Sequence, residues 1–133
     1  MCLEIRRKNI KIAKKDIVCY KVLVNRGDGY VTPYQFFPMP LGYTYKNSDT
    51  PKIIWDRGKG WVHQGFFHTY IKLYDAKNDA DWQYENCEED DVIVVKAVIP
   101  KGSHYLSGVN NDGEKSYASK MLVVTDIVKY SLA

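Results

Sequence analysis

From Val92 to Ile99 the chain is apolar at every position except Lys96, which suits a strand covered on both faces better than one that turns a side to water. Pro100 cannot donate a ladder hydrogen bond and Gly102 can take positive φ, so Pro100-Lys101-Gly102 closes the run in a turn. The pattern predicts a central strand with Val94, Val98 and Ile99 buried, flanked by the two other β-rich runs, Ile17–Val24 and Met121–Val128. In the first of these Val18, Tyr20, Val22 and Val24 share one face. The turn-forming residues Asn25 to Gly29 then precede a re-entry at Tyr30-Val31-Thr32, which predicts a β-hairpin. Leu3, Ile5, Ile10 and Ile12 alternate with polar residues, the period of half-exposed strands, and predict a short edge hairpin turning near Arg7 to Asn9. Ser103 to Leu106 gives another short strand, Asn110 to Gly113 a turn, and Ala118 to Tyr130 a last strand broken at Thr125-Asp126.

Behind a short strand at Gly65–Thr69, the residues Leu73, Ala76, Ala80, Tyr84 and Cys87 recur at helical spacing and predict one amphipathic helix over about Ile71–Tyr84. Asn78, Asp79 and Asp81 are poor helix formers in its middle and argue for an early end. Pro33 to Trp61 has many prolines and aromatics but no sustained period. It predicts a long aromatic-rich loop packed over the sheet by Tyr34, Phe36, Phe37, Tyr43 and Tyr45. Together these elements make an α+β fold: a single domain over residues 1–133 with a mainly antiparallel twisted sheet, one main helix and the aromatic loop, residues 1–15 forming a basic edge segment.

Composition narrows the function classes. A length of 133 residues suits one core, and no stretch has the roughly eighteen apolar residues that a membrane helix needs. The basic N-terminus has no apolar h-region, so it does not read as a secretory signal and a cytoplasmic location is expected. Cys2, Cys19 and Cys87, odd in number and irregularly spaced, read as free thiols. The net charge of +3 is uneven: Arg6, Arg7, Lys8, Lys11, Lys14 and Lys15 crowd the start, and Glu85, Glu88, Glu89, Asp90 and Asp91 precede the central run. A nucleic-acid partner is therefore an alternative, although the overall balance does not make it the default.

The chemistry-bearing residues are sparse. His63 and His68 are five apart, which places two imidazoles on one face of neither a helix nor a strand, and nothing completes a metal set. Arg57-Gly58-Lys59-Gly60 lacks the remaining glycines and the Lys-Ser/Thr of a phosphate loop. His68, at a strand-to-helix junction where a side chain can point into a cleft, is the catalytic candidate, with Glu114 as the carboxylate to accompany it. Tyr34, Phe36, Tyr43, Tyr45 and Trp61 are candidate ligand-stacking residues. Neither a metal nor a cofactor is indicated, and the residues fit a non-catalytic binding or interaction module whose partner they do not name.

The segments CYKV, VTPYQ, GFFHTYIKLYDAKN, VIVVKAVIPKGSHYLSG and YASKMLVV, spread over Cys19 to Val124, resemble a loosely defined family of short uncharacterised domains from bacteriophages and bacteria. That family carries a Tyr-Lys-Val strand, a Gly-Phe-His-Ser/Thr segment, an Ile-Pro-Lys-Gly turn and a final Tyr-Ala-Ser strand. The chain is also similar, more distantly, to the ADP-ribosyltransferase-like fold. Lys21 stands on the early strand where such enzymes carry Arg or His, and Gly65-Phe66-Phe67-His68-Thr69 matches their second element. This likeness implies an NAD- or nucleotide-handling enzyme, with NAD as its cofactor. The glutamate that such enzymes place before the late strand, to stabilise an oxocarbenium-like state, is missing: Tyr117-Ala118-Ser119-Lys120 stands there, and the nearest carboxylate is Glu114.

Overall fold

The structure, a computed structural model, describes residues 3–5, 10–25, 29–32, 38–46, 52–64, 66–86 and 91–130. In chain order its strands are β1 (Leu3–Ile5), β2 (Lys11–Ile12), β3 (Ile17–Asn25), β4 (Tyr30–Val31), β5 (Thr44–Lys46), β6 (Lys52–Asp56), β7 (Lys59–Gln64), β8 (Phe67–Tyr70), β9 (Val92–Ile99), β10 (His104–Val109), β11 (Lys115–Ser119) and β12 (Met121–Tyr130). One helix, α1 (Leu73–Asn86), lies between β8 and β9. The strands form one sheet in the order β5-β12-β9-β3-β8-β11-β10-β1-β7-β6, with β2 on β10 and β4 on β3. The pairings are antiparallel, so the α+β class stands.

The apolar run at Val92–Ile99 is the central strand of its half of the sheet, between β3 and β12. β3 runs beside it in unbroken register from Ile17↔Ile99 to Val24↔Val92. The turn after it forms as the residue types require: Gly102 has φ 90° and the Ser103 amide donates to the Pro100 carbonyl at 3.0 Å. On one face Ile93, Val95, Ala97 and Ile99 join Cys19, Leu23, Leu122 and Val124 in the largest core, where Phe67, Tyr105 and Tyr117 from the other half of the sheet pack against them. On the opposite face Val92, Val94 and Val22 lie beneath Ala76 and Ala80 of α1. Val94 is thus fully buried, and Val94→Ala should lower the unfolding free energy by about 1–3 kcal/mol through lost burial and the cavity left. Denaturant melts matching the wild type within about half a kcal/mol would contradict its place under the helix.

Val98, expected to be as buried as Val94 and Ile99, is only half-buried. It shares the helix face but lies beyond the helix, opposite Val18, which is 45% exposed. α1 itself runs to Asn86 instead of ending early. The reason is that Asp79 is not a solvated helix breaker: it accepts hydrogen bonds from the Tyr70 hydroxyl at 3.0 Å and from Gln83 Nε2 at 3.4 Å, which ties the middle of the helix to β8.

The stretch expected to be a long aromatic loop is not one. Its described part carries β5, paired with β12, and the β6–β7 hairpin, whose Arg57 and Gly58 have φ of 53° and 80°. Two successive positive φ values make the tight turn that hairpins favour, so Arg57-Gly58-Lys59-Gly60 is turn chemistry. Tyr34, Phe36 and Phe37 lie outside the described residues. Nor do β1 and β2 form a hairpin with each other, since both pair with β10 and β1 also pairs with β7. Ala118 and Ser119, read as the start of the last strand, belong to β11. The break at Thr125 is a register shift in β12, where the Thr125 hydroxyl donates to the Lys96 carbonyl at 3.1 Å.

Candidate functional site

Among the described residues polar chemistry gathers in two places of interest, and the first lies where the sheet nearly parts. β3 and β8 share a single backbone pair, Tyr20↔Tyr70, so at the next residues the strands leave carbonyl and amide groups that must find other partners. Lys21 supplies one of them: its Nζ donates to the His68 carbonyl at 2.7 Å. A charged residue on the face of β3 that also carries Cys19 and Leu23 is otherwise out of place, and the parted strands explain it.

Burial sets the protonation of this cluster. Desolvation draws the Lys21 ammonium down to about 8, against the opposing pull of Cys19 and Asp79. It pushes the Cys19 thiol up to about 11 although the Lys21 charge favours the thiolate. The His68 imidazole is held down at about 3, first by burial and then by the Lys21 charge. Its Nδ1 is buried without a hydrogen-bond partner among the described residues, so the partner expected for a structural histidine is not supplied. Asp79 is raised by burial, against its hydrogen bonds from Tyr70 and Gln83 and the Lys21 charge, and Tyr70 is raised by burial and by Asp79. At neutral pH the imidazole is neutral and Lys21 mostly charged, bound to a backbone carbonyl.

The two catalytic candidates are not brought together. His68 lies opposite Ala118 and Tyr70 opposite Ser116 on β11, which puts Glu114 four residues along from His68's partner, about 13 Å at the rise of a strand. Glu114 belongs to the β10–β11 loop. Asn110 Nδ2 donates to its carboxylate at 2.9 Å, and Asn110 Oδ1 accepts from the Glu114 and Asp112 amides. Burial first, and then the neighbouring Asp75, Asp112 and Asp79, raise the Glu114 carboxyl against that hydrogen bond.

Of the described aromatic candidates, Trp61 stands apart from Tyr43 and Tyr45. Tyr43 is 64% exposed, and Tyr45 is held by a 2.6 Å hydrogen bond to the Pro40 carbonyl and an edge contact with Phe67. Trp61 lies on β7, far along the strand order from β5. Tyr34 and Phe36 lie outside the described residues.

The second place is a groove of about 450 Å³ lined by Lys11, Lys14, Lys15, Ile12, Ile17 and Tyr105, in the size range of small-ligand sites, roughly 300–1,000 Å³. Its lysine segment is pinned: the Ala13 amide donates to the Ser103 carbonyl at 2.9 Å, the Gly102 amide donates to the Ala13 carbonyl at 2.8 Å, and the Lys101 amide donates to Asp16 Oδ1 at 2.9 Å. Tyr105 meets Tyr117 edge-on at 5.9 Å, which fixes its ring. Sequence reading had found the basic run but not its apolar floor, because Ile17 and Tyr105 come from β3 and β10 and only strand pairing brings them beside it.

Among the described residues no group of three or more His, Cys, Asp or Glu side chains could hold a metal ion, and no helix is long and apolar enough to cross a membrane. Compared with protein-family models, with curated proteins and with solved structures, the chain matches none of them.

Proposed function

We propose that this chain is a non-catalytic binding module of the cytoplasm, akin to the phage and bacterial domains its motifs resemble, and that it takes its ligand on the groove between β2, β3 and β10. The observation that carries this reading is the make-up of the groove: three lysines stand over an apolar floor on a segment held by backbone hydrogen bonds. Lysines give point charges for an anionic ligand. In the strand-split cluster Lys21 is held by a carbonyl and Tyr70 by Asp79.

A thermal-shift panel of nucleotides, sugar phosphates and neutral sugars tests this, because a ligand that binds only the folded state raises the melting temperature. Anionic members should give shifts of several degrees that Lys14→Glu/Lys15→Glu abolishes. No shift from any anionic member, or shifts that survive the double substitution, would sink the groove reading.

A second reading, an ADP-ribosyltransferase-like enzyme handling NAD, draws support from the parting of β3 and β8 around Lys21 beside His68. Against it stands the distance of Glu114 from His68.

A further inference from the structure

Resting on the reading of the groove as the binding surface, we infer that its ligand is a single-stranded nucleic acid, held through its phosphates by Lys11, Lys14 and Lys15 with one base against Tyr105. Charge is the first support. Lys11, Lys14 and Lys15 line the groove, Lys101 sits on the turn bonded to its lysine segment, and the one carboxylate within that segment, Asp16, already accepts the Lys101 amide.

The floor distinguishes among polyanions. Tyr105 lines it beside Ile17 and carries an orientation fixed by Tyr117. A duplex offers only stacked bases, whereas a single strand can unstack one and lay its face on an aromatic ring, an interaction that tolerates any sequence. A membrane surface is flat and would leave a recessed floor unused. Lysines placed as separate point charges, without the planar fork of arginine, suit phosphates spaced along a flexible backbone.

The test is a fluorescence-anisotropy titration of the full chain with a labelled twelve-residue oligo-dT and its oligo-U counterpart, at 50 and 200 mM salt. Three phosphate contacts on a single strand give a log–log salt slope near −2, so affinity should fall about 20-fold across that range. Lys14→Glu/Lys15→Glu, both exposed positions, should weaken binding at least tenfold at 50 mM and flatten the slope toward that of one contact. Tyr105→Leu, which keeps the apolar bulk, should weaken it severalfold without changing the slope. An unlabelled duplex of equal length should compete at least tenfold less well than the single strand.

Absence of binding at 50 mM salt, or binding indifferent to both salt and the lysine changes, would overturn the inference. A duplex that competes equally would overturn the single-strand assignment. If oligonucleotides fail but vesicles containing anionic phospholipid, or an acidic peptide, bind in a Lys14- and Lys15-dependent way, the nucleic-acid inference falls while the binding-module reading stands. If no anionic probe binds, both fall.

Discussion

Gly108→Ala is expected to lower the unfolding free energy by about 3 kcal/mol or more, although it adds one methyl group. A Cβ at Gly108 would overlap the backbone carbonyl oxygen of Glu4 and reach within 3.1 Å of Ile5 Cγ2. A side chain could turn aside, but the Glu4 carbonyl belongs to β1, which pairs through Glu4 with Val109 on one edge and with Trp61 on the other. Relief therefore means moving β1 off β10, and β1 is the strand that joins β7 and β6 to the rest of the strand order. Leu3 and Ile5, buried with Val62 and Leu106, would lose their cover. Overpacking of this kind costs about 1–3 kcal/mol, and each large aliphatic side chain uncovered adds about 1.5–3 kcal/mol. Gly113→Ala is the control. Nothing lies within 4 Å of a Cβ there and only its φ of 81° is unfavourable, so the loss should be about 1 kcal/mol. If urea melts place the two variants together near the wild type, β1 does not approach β10 as described.

Acid should destabilise the protein through His68. Its folded pKa of about 3 lies below the ordinary 6.5 because burial and the Lys21 charge disfavour the imidazolium. Between those values the unfolded chain binds a proton that the folded chain does not, so stability is unpenalised above pH 6.5 and falls as the pH drops toward 3. At about 1.4 kcal/mol per unit, discounted because the residue is partly exposed, the loss should reach about 2–3 kcal/mol by pH 4. Asp79 and Glu114, raised by burial, act in the opposite sense over part of that range. The His68 contribution is therefore read as the difference between wild type and His68→Gln. Parallel stability–pH curves for the two proteins would mean that the imidazole is hydrated in the fold.

What the sequence made legible was set by local pattern. The β9 strand, its two partners, the turn at Gly102 and the helix follow from runs of apolar residues at periods of two or 3.6 and from residues with special backbone freedom. The strand β5 and the β6–β7 hairpin were missed because β5 and β6 are short and mostly exposed, so no apolar alternation marks them. Val98 was misplaced because apolar character on both faces does not say how far a fourteen-residue helix extends over the sheet. The candidate sites were least legible. Lys21 meets His68 and Tyr70 meets Asp79 across long or intermediate sequence separations, and these contacts depend on which strands are neighbours. One local signal did exist: Lys21 is a charged residue on a strand face whose other members are core, the mark of a buried partner. Asn110 likewise marked the loop that holds Glu114 away from His68.

The most direct check on the central claim, that the strand-split cluster is structural and the protein acts by binding, is nicotinamide release from NAD by the wild-type chain at high protein concentration. The expected result is a rate equal to that of buffer and of a folded His68→Gln protein, since Glu114, the candidate carboxylate, stands away from His68 and cannot stabilise an oxocarbenium-like state there. Measurable release by the wild type, lost in a His68→Gln protein that still melts within a few degrees of it, would contradict the account.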